Sequence, residues 1–94
     1  MKNTSVEISE ETLLEERITV EAQKDLVLYN DDVNTFDFVI ECLVEICKHN
    51  SLQAEQCAFL VHYKGKCGIK RGSEEELKSL CLNLLDRGLS AKIE

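Results

Sequence analysis

Hydrophobic positions along the chain change their spacing several times, and each change predicts a new element. The run DLVLYN at residues 25–30 is short, apolar and rich in strand-forming residues, so it predicts a strand. Between residues 36 and 47, apolar side chains recur every three or four positions, which is the spacing of one helix face. Asn34 is the predicted N-cap of this helix, and Asp37 is favourable near its N-terminus.

The second half of the chain repeats this alternation of elements. A helix over residues 51–64 ends at Gly65, and KCGIKRG predicts a short strand after it. Ser73 and Glu76 have the spacing of a capping box at the start of a third helix, which Gly88 ends. The last six residues alternate apolar with polar and predict a final strand.

The predicted order is β-α-α-β-α-β, and one apolar sheet face covered by helices is the simplest packing for it. We therefore expect an α+β, two-layer domain with a three-stranded antiparallel sheet covered by three helices. Residues 25–94 would form this domain. Residues 1–24 contain six glutamates and little periodic apolar pattern, so they predict a flexible acidic N-terminal extension.

Composition excludes several classes of protein. The 94 residues carry a formal net charge of −7, whereas phosphate binding requires a concentrated Lys/Arg face. No apolar run approaches the roughly 20 residues of a membrane span, and the N-terminus lacks the pattern of a signal peptide. We therefore expect a cytoplasmic protein without nucleic-acid or membrane partners.

The cysteines leave two interpretations open. There are five of them, an odd number, and no two have the CxxC spacing. Some fall within apolar helical patterns, where a free thiol packs like a small hydrophobic residue. Core packing is therefore the simpler interpretation, and a metal or redox role is the alternative.

Four polar residues stand out from the predicted core. Asn30, Asp31 and Asp32 lie in a row between the first strand and the first helix, and His62 lies within the apolar second helix. Taken singly, the acidic pair is a normal solvated turn and His62 a normal core or boundary residue. Together they offer carboxylate, amide and imidazole acceptors, which suit the three N–H donors of a primary ammonium. The sequence makes this convergence possible without requiring it.

The stretches NDDVNTFDFVIECL and LVHYKGKCG resemble the ClpS family, adaptors of the ATP-dependent Clp protease. The similarity extends over about residues 26–94 and leaves the extension unmatched. It implies a binding module, not an enzyme, that needs no cofactor or metal. Such proteins recognise N-degrons, which begin with Leu, Phe, Tyr or Trp, and deliver them to an AAA+ unfoldase. A ClpA-like or ClpC-like unfoldase would be the partner of a monomeric adaptor.

The resemblance also implies roles for individual residues. The substrate α-amino group would be held by Asn30, Asp31, Asp32 and His62. The pocket for the first side chain would be lined by Leu28, Asn34, Phe36, Val39, Ala58, Val61 and Leu89.

The sequence departs from the family pattern at the predicted pocket. Phe36 occupies a position where the family commonly has Met, and Ala58 occupies that of a larger residue. We therefore expect the pocket to rank substrates that begin with Leu, Phe, Tyr or Trp in a different order of affinity from the family. The sequence does not give the direction of this change. Glu75 matches a glutamate of the family's unfoldase-docking surface, although three glutamates in a row are also normal in a solvated first turn.

Two other classes of function stay open on the sequence alone. Asp31, Asp32, His62 and a cysteine are residue types that bind a metal ion or take part in redox chemistry, although only two oxygen ligands are adjacent. The same α+β layout would also suit a structural or ribosome-associated interaction domain. No phosphate loop and no nucleophile–base pair with an orienting acid emerges, so hydrolytic enzymes rank last.

Overall fold

The computed structural model describes residues 23–94 and has the predicted order of elements. The prediction of an α+β fold with a three-stranded antiparallel sheet and three helices is confirmed. The elements are β1 (Gln23–Tyr29), α1 (Phe36–Cys47), α2 (Ser51–Lys64), β2 (Lys66–Ser73), α3 (Glu74–Asp86) and β3 (Ser90–Ile93).

The first strand begins two residues earlier than predicted, because Gln23 and Lys24 pair with Ser73 and Gly72 of β2. These are the last two residues of the predicted extension. The rest of that prediction concerns residues 1–22, which lie outside the described part of the chain.

The strand β1 is the centre of the sheet, whose order is β2-β1-β3. The consecutive residues Leu26 and Val27 of β1 lie opposite Lys70 and Gly68 of β2. Ile69, which lies between Lys70 and Gly68 in the chain, therefore has no opposite residue on β1. This irregularity leaves the Ile69 carbonyl available, and the Nε2 atom of the buried His49 lies 2.9 Å from it. The bulge is thereby joined to the segment between α1 and α2.

The core lies between the sheet and the helices. Leu26 and Leu28 share one face of β1, and each is at most 1% exposed. They belong to the same cluster as Leu43, Leu77 and Leu84, which are fully buried on the three-residue and four-residue repeats of α1 and α3. Burying a leucine side chain contributes about 1.5–3 kcal/mol, so this cluster accounts for much of the stability.

The structure corrects the predicted start of α1. Thr35, not Asn34, is the N-cap, and its hydroxyl oxygen accepts a hydrogen bond from the Phe38 N–H at 3.1 Å. Asn34 precedes the cap by one residue, and its side-chain amide donates to Asp31 and to the carbonyl of Gly88.

The other helix ends follow the sequence closely. The side chain of Asn50 caps α2, which ends at Gly65 with a φ of 94°. The predicted capping box of α3 is present: Ser73 Oγ accepts from the Glu76 N–H at 3.2 Å, and Glu76 Oε1 accepts from the Ser73 N–H at 3.0 Å. The left-handed backbone conformation at the end of α2 favours glycine, which explains why residue 65 is a glycine.

The candidate binding pocket

The residues 30–35, which we call the acceptor loop, are fixed by the carboxylate of Asp31. Its Oδ1 atom accepts hydrogen bonds from the backbone N–H groups of Val33 at 2.9 Å and Asn34 at 2.8 Å. Its Oδ2 atom accepts from the side-chain amide of Asn34 at 3.0 Å. Asp31 therefore forms an Asx turn, and much of its hydrogen-bonding capacity is used inside the loop.

These bonds also change the acidity of Asp31. Burial by itself raises the pKa of the Asp31 carboxyl, but the hydrogen bonds from Asn34 and Val33 outweigh burial and hold the pKa below its ordinary value. The group therefore keeps its negative charge at neutral pH, where it contributes to an acidic surface.

Two further bonds attach the acceptor loop to the ends of separate helices. The backbone N–H of Asn30 donates to the carbonyl of Gly65, at the end of α2, over 2.9 Å. The side-chain amide of Asn34 donates to the carbonyl of Gly88, beyond α3, over 2.9 Å. The loop is thus held beside the second half of α2, where His62 lies.

A pocket of about 530 Å³ lies between the acceptor loop, the start of α1 and the second half of α2. All four predicted amine-binding residues line it, and so do five of the seven predicted for the first side chain. The polar lining residues are Asn30, Asp31, Asp32, Asn34 and His62, and the apolar ones that sequence predicted are Phe36, Val39, Ala58 and Val61.

The remaining two predicted residues lie one layer deeper. Leu28 and Leu89 are at most 3% exposed and line a cavity of about 20 Å³. This cavity shares Val39 and Val61 with the pocket above it. Leu28 and Leu89 therefore belong to the buried core cluster and are not among the lining residues of the larger pocket.

Two aromatic residues of the pocket were missed from the sequence. Phe59 and Tyr63 also line it, are 53% and 67% exposed, and have ring centroids 4.4 Å apart. The imidazole of His62 meets the Tyr63 ring edge-on at 4.9 Å. Their four-residue spacing on a face of α2 that avoids the core was the available signal.

The pocket combines negative charge with an apolar wall. Asp31 and Asp32 are carboxylates, and among residues 23–94 no lysine or arginine lines the pocket. Asp32 is exposed, and its carboxylate has no hydrogen-bond partner among residues 23–94. The pocket thus offers open acceptor positions to a cation that is attached to an apolar group.

Other predicted features can be located as well. Glu75 is exposed in the first turn of α3, where the cap uses Glu76 instead. Within residues 23–94, no group of three or more His, Cys, Asp or Glu side chains could hold a metal ion. No helix in the same range has the length and apolar character needed to cross a membrane.

Comparisons with known proteins agree with this description. The sequence model of the family described as ATP-dependent Clp protease adaptor protein ClpS matches residues 21–92. The ClpS adapter protein of Campylobacter jejuni subsp. jejuni (strain 81-176) is 38% identical over 61 residues, which cover 63% of this chain and 64% of that protein. The ClpS adapter protein of Sodalis glossinidius is 32% identical over 89 residues, which cover 88% of this chain and 84% of the relative. This chain therefore spans less than two thirds of the Campylobacter protein.

A solved structure has the same fold. ClpS2 of Agrobacterium tumefaciens, bound to L-phenylalaninamide, superposes with a TM-score of 0.75 and 16% sequence identity. The superposition covers 78% of this chain and 95% of ClpS2. At this identity the likeness concerns the fold alone.

Fold and pocket together define a small α+β protein with an open acidic binding pocket that has an aromatic wall. The family model matches well over half of the chain, and the Sodalis relative aligns along most of it. The chain belongs to the ClpS family.

Proposed function

We propose that this protein is an adaptor that binds the free N-terminal residue of N-degron substrates, namely Leu, Phe, Tyr or Trp. The observation that supports it most directly is the 530 Å³ pocket, which joins the acceptors of the loop and His62 to the apolar wall of α1 and α2. The N-terminal residue of a polypeptide offers the matching groups, because its ammonium group and its side chain are attached to the same carbon atom. The protein would act by binding and not by catalysis.

Both halves of the pocket are needed for useful affinity. Burying one Leu or Phe side chain contributes about 1.5–3 kcal/mol. Charge-assisted hydrogen bonds add about 1.5–3 kcal/mol each before ordering costs. Micromolar affinity requires about 8.2 kcal/mol, so neither part suffices alone. An internal leucine, which has no ammonium group, would be rejected.

Titration of a fluorescent peptide tests the proposal. A peptide that begins with Leu should bind, and its N-acetylated form should lose nearly all affinity because acetylation removes the charge and the N–H donors. The same peptide beginning with Ala keeps the ammonium group and controls for the side chain. Equal binding of the three peptides, or no binding of any of them, would favour a structural interaction domain instead.

The second part of the proposal is delivery to a ClpA-like or ClpC-like AAA+ unfoldase in the cytoplasm. Membership in a family of Clp protease adaptors supports it. The free state of all five cysteines also agrees with a reducing compartment. Degradation of a reporter that begins with Leu should accelerate when the adaptor is added to the unfoldase and its protease.

We further propose that two parts of the chain contact the unfoldase: Glu75, which matches a glutamate of the family's docking surface, and the acidic segment of residues 1–22. Deleting residues 1–22 should leave peptide affinity unchanged but slow delivery of the reporter. Glu75→Ala should act in the same direction, and Glu74→Ala, which removes the same charge one position earlier, is its matched control. Loss of peptide affinity in the deleted protein would contradict this separation of roles.

A further inference from the structure

The thiols of Cys57 and Cys67 form a pair that the proposed adaptor function does not use. Cys57 lies on the inner face of α2 and Cys67 near the start of β2, and their Sγ atoms are 2.9 Å apart. A disulfide bond is about 2.04 Å long, so the two sulfurs need to approach by less than 1 Å. We propose that Cys57 and Cys67 are a redox modification site, which a peroxide oxidises to an intramolecular disulfide.

The two cysteines differ in a way that assigns them separate roles. Cys67 is half-buried and its Sγ lies 3.4 Å from the carbonyl oxygen of Gly68, whereas Cys57 is only 5% exposed. Burial raises the pKa of the Cys57 thiol, and the hydrogen bond to Cys67 raises it further. Cys57 therefore keeps its proton and donates it toward the sulfur of Cys67, which is the more accessible of the two.

The reaction proceeds in two balanced steps. The thiolate of Cys67 attacks one oxygen of hydrogen peroxide; the O–O bond breaks, a sulfenic acid forms, and the released hydroxide takes up a proton to give water. The Cys57 sulfur then attacks the Cys67 sulfur, the S–O bond breaks, and the hydroxyl leaves as water with the Cys57 proton. Two thiols lose two electrons, and one peroxide becomes two waters.

The other three cysteines lack a comparable arrangement. Cys42, Cys47 and Cys81 are buried. The sulfur of Cys42 lies 3.7 Å from Arg87 Nη1. All five cysteines lie within residues 23–94, and Cys57–Cys67 is the sulfur–sulfur contact found there. Oxidation should therefore select this pair.

Mass spectrometry of the full chain tests the proposal. The reduced protein is treated with hydrogen peroxide, alkylated with iodoacetamide and digested with trypsin, which separates residues 49–64 from residues 67–70. The expected product is these two peptides joined by a disulfide, with the other three cysteines alkylated and with dithiothreitol restoring all five. Five alkylated cysteines after peroxide treatment, a disulfide at another pair, or a disulfide between two chains would overturn the proposal.

Substitutions distinguish the two roles. Cys67→Ser should abolish the cross-link and leave four alkylated cysteines, and it is mild because the side chain is half-buried. In Cys57→Ala, Cys67 should stop at the sulfenic acid, which dimedone traps. Cys81→Ala, which removes a thiol with no sulfur neighbour, should leave the cross-link intact. Formation of a disulfide between Cys57 and a third cysteine in Cys67→Ser would refute the assignment, and this holds even if Cys57→Ala fails to fold.

Discussion

Asp31 and Asp32 are adjacent carboxylates with different surroundings. Asp31 accepts three hydrogen bonds that shape the acceptor loop, while Asp32 accepts none from residues 23–94. The sequence predicted both as ligands of the amine. The geometry separates their proposed contributions: Asp31 mainly fixes the loop, and Asp32 offers its full capacity to a ligand.

We predict that Asp32→Ala weakens binding of a peptide that begins with Leu by about 10-fold or more. A hydrogen bond to a charged group is worth about 1.5–3 kcal/mol, and 1.4 kcal/mol corresponds to a tenfold change in affinity. Fluorescence anisotropy measures the change. Asp86→Ala removes an equal charge at the end of α3 and should leave the affinity within twofold; equal loss in both variants would show that only net charge matters.

We propose that Ala58 determines how the pocket ranks the substrate N-terminal residues Leu, Phe, Tyr and Trp. Ala58 is 2% exposed and lines the pocket beside Phe36 and Phe59. Ala58→Leu should fill part of this space and weaken peptides that begin with Trp, Tyr or Phe by several-fold more than a peptide that begins with Leu. A set of four dissociation constants for each protein checks this, with a thermal melt to confirm folding. A uniform loss across the four peptides would place Ala58 outside the selective part of the pocket.

Among the elements, the helix caps show which features local sequence can predict. The capping box of α3 depends on two residues three positions apart, and the sequence predicted it correctly. The predicted cap of α1 was wrong by one residue, and Asn34 instead bonds to Gly88, which is 54 positions away. A contact at that separation leaves no local pattern.

The residues that line the pocket also divide into those that were predicted and those that were missed. The resemblance to the ClpS family implied that Val39, Ala58 and Val61 line the pocket. The places of Phe59 and Tyr63, in contrast, depend on how α2 is turned against α1 and the acceptor loop. The bulge at Ile69 and its bond from His49 likewise join elements that the sequence alone does not bring together.

The α3 cap supplies a prediction on stability. Ser73→Ala should lower the free energy of unfolding by about 1 kcal/mol, because it leaves the Glu76 N–H without its acceptor. Ser79→Ala, at an exposed position inside α3, should raise it slightly since alanine is the better helix former. Urea denaturation measures both variants. A loss of similar size at both positions would contradict the role of the cap.

For the molecule as a whole, the buried thiols predict how stability depends on pH. Burial raises the pKa of the Cys47 thiol to about 11, from an ordinary value of 9.0. The folded state therefore keeps a proton that the unfolded state loses between these values. This contribution is complete below pH 9 and disappears as the pH rises to about 11.

The free energy of unfolding of the reduced protein should therefore decrease between pH 9 and 11. One such group contributes a slope of at most about 1.4 kcal/mol per pH unit. Cys47→Ala should show a shallower decrease than the parent protein, even though its stability at pH 8 is lower. Urea denaturation in the presence of a reductant, repeated across this range, gives the slopes; parallel curves would remove Cys47 as the cause.

The two glycine carbonyls that hold the acceptor loop have a consequence for recognition. Gly65 and Gly88 accept from Asn30 and Asn34, and these bonds lie within the folded chain itself, so the fold shapes the loop. Its conformational entropy is lost during folding and not at each encounter, which is preorganisation in the usual sense. Under the proposed function, association would require no rearrangement of the loop, and differences in affinity among substrates should appear mainly in the dissociation rates.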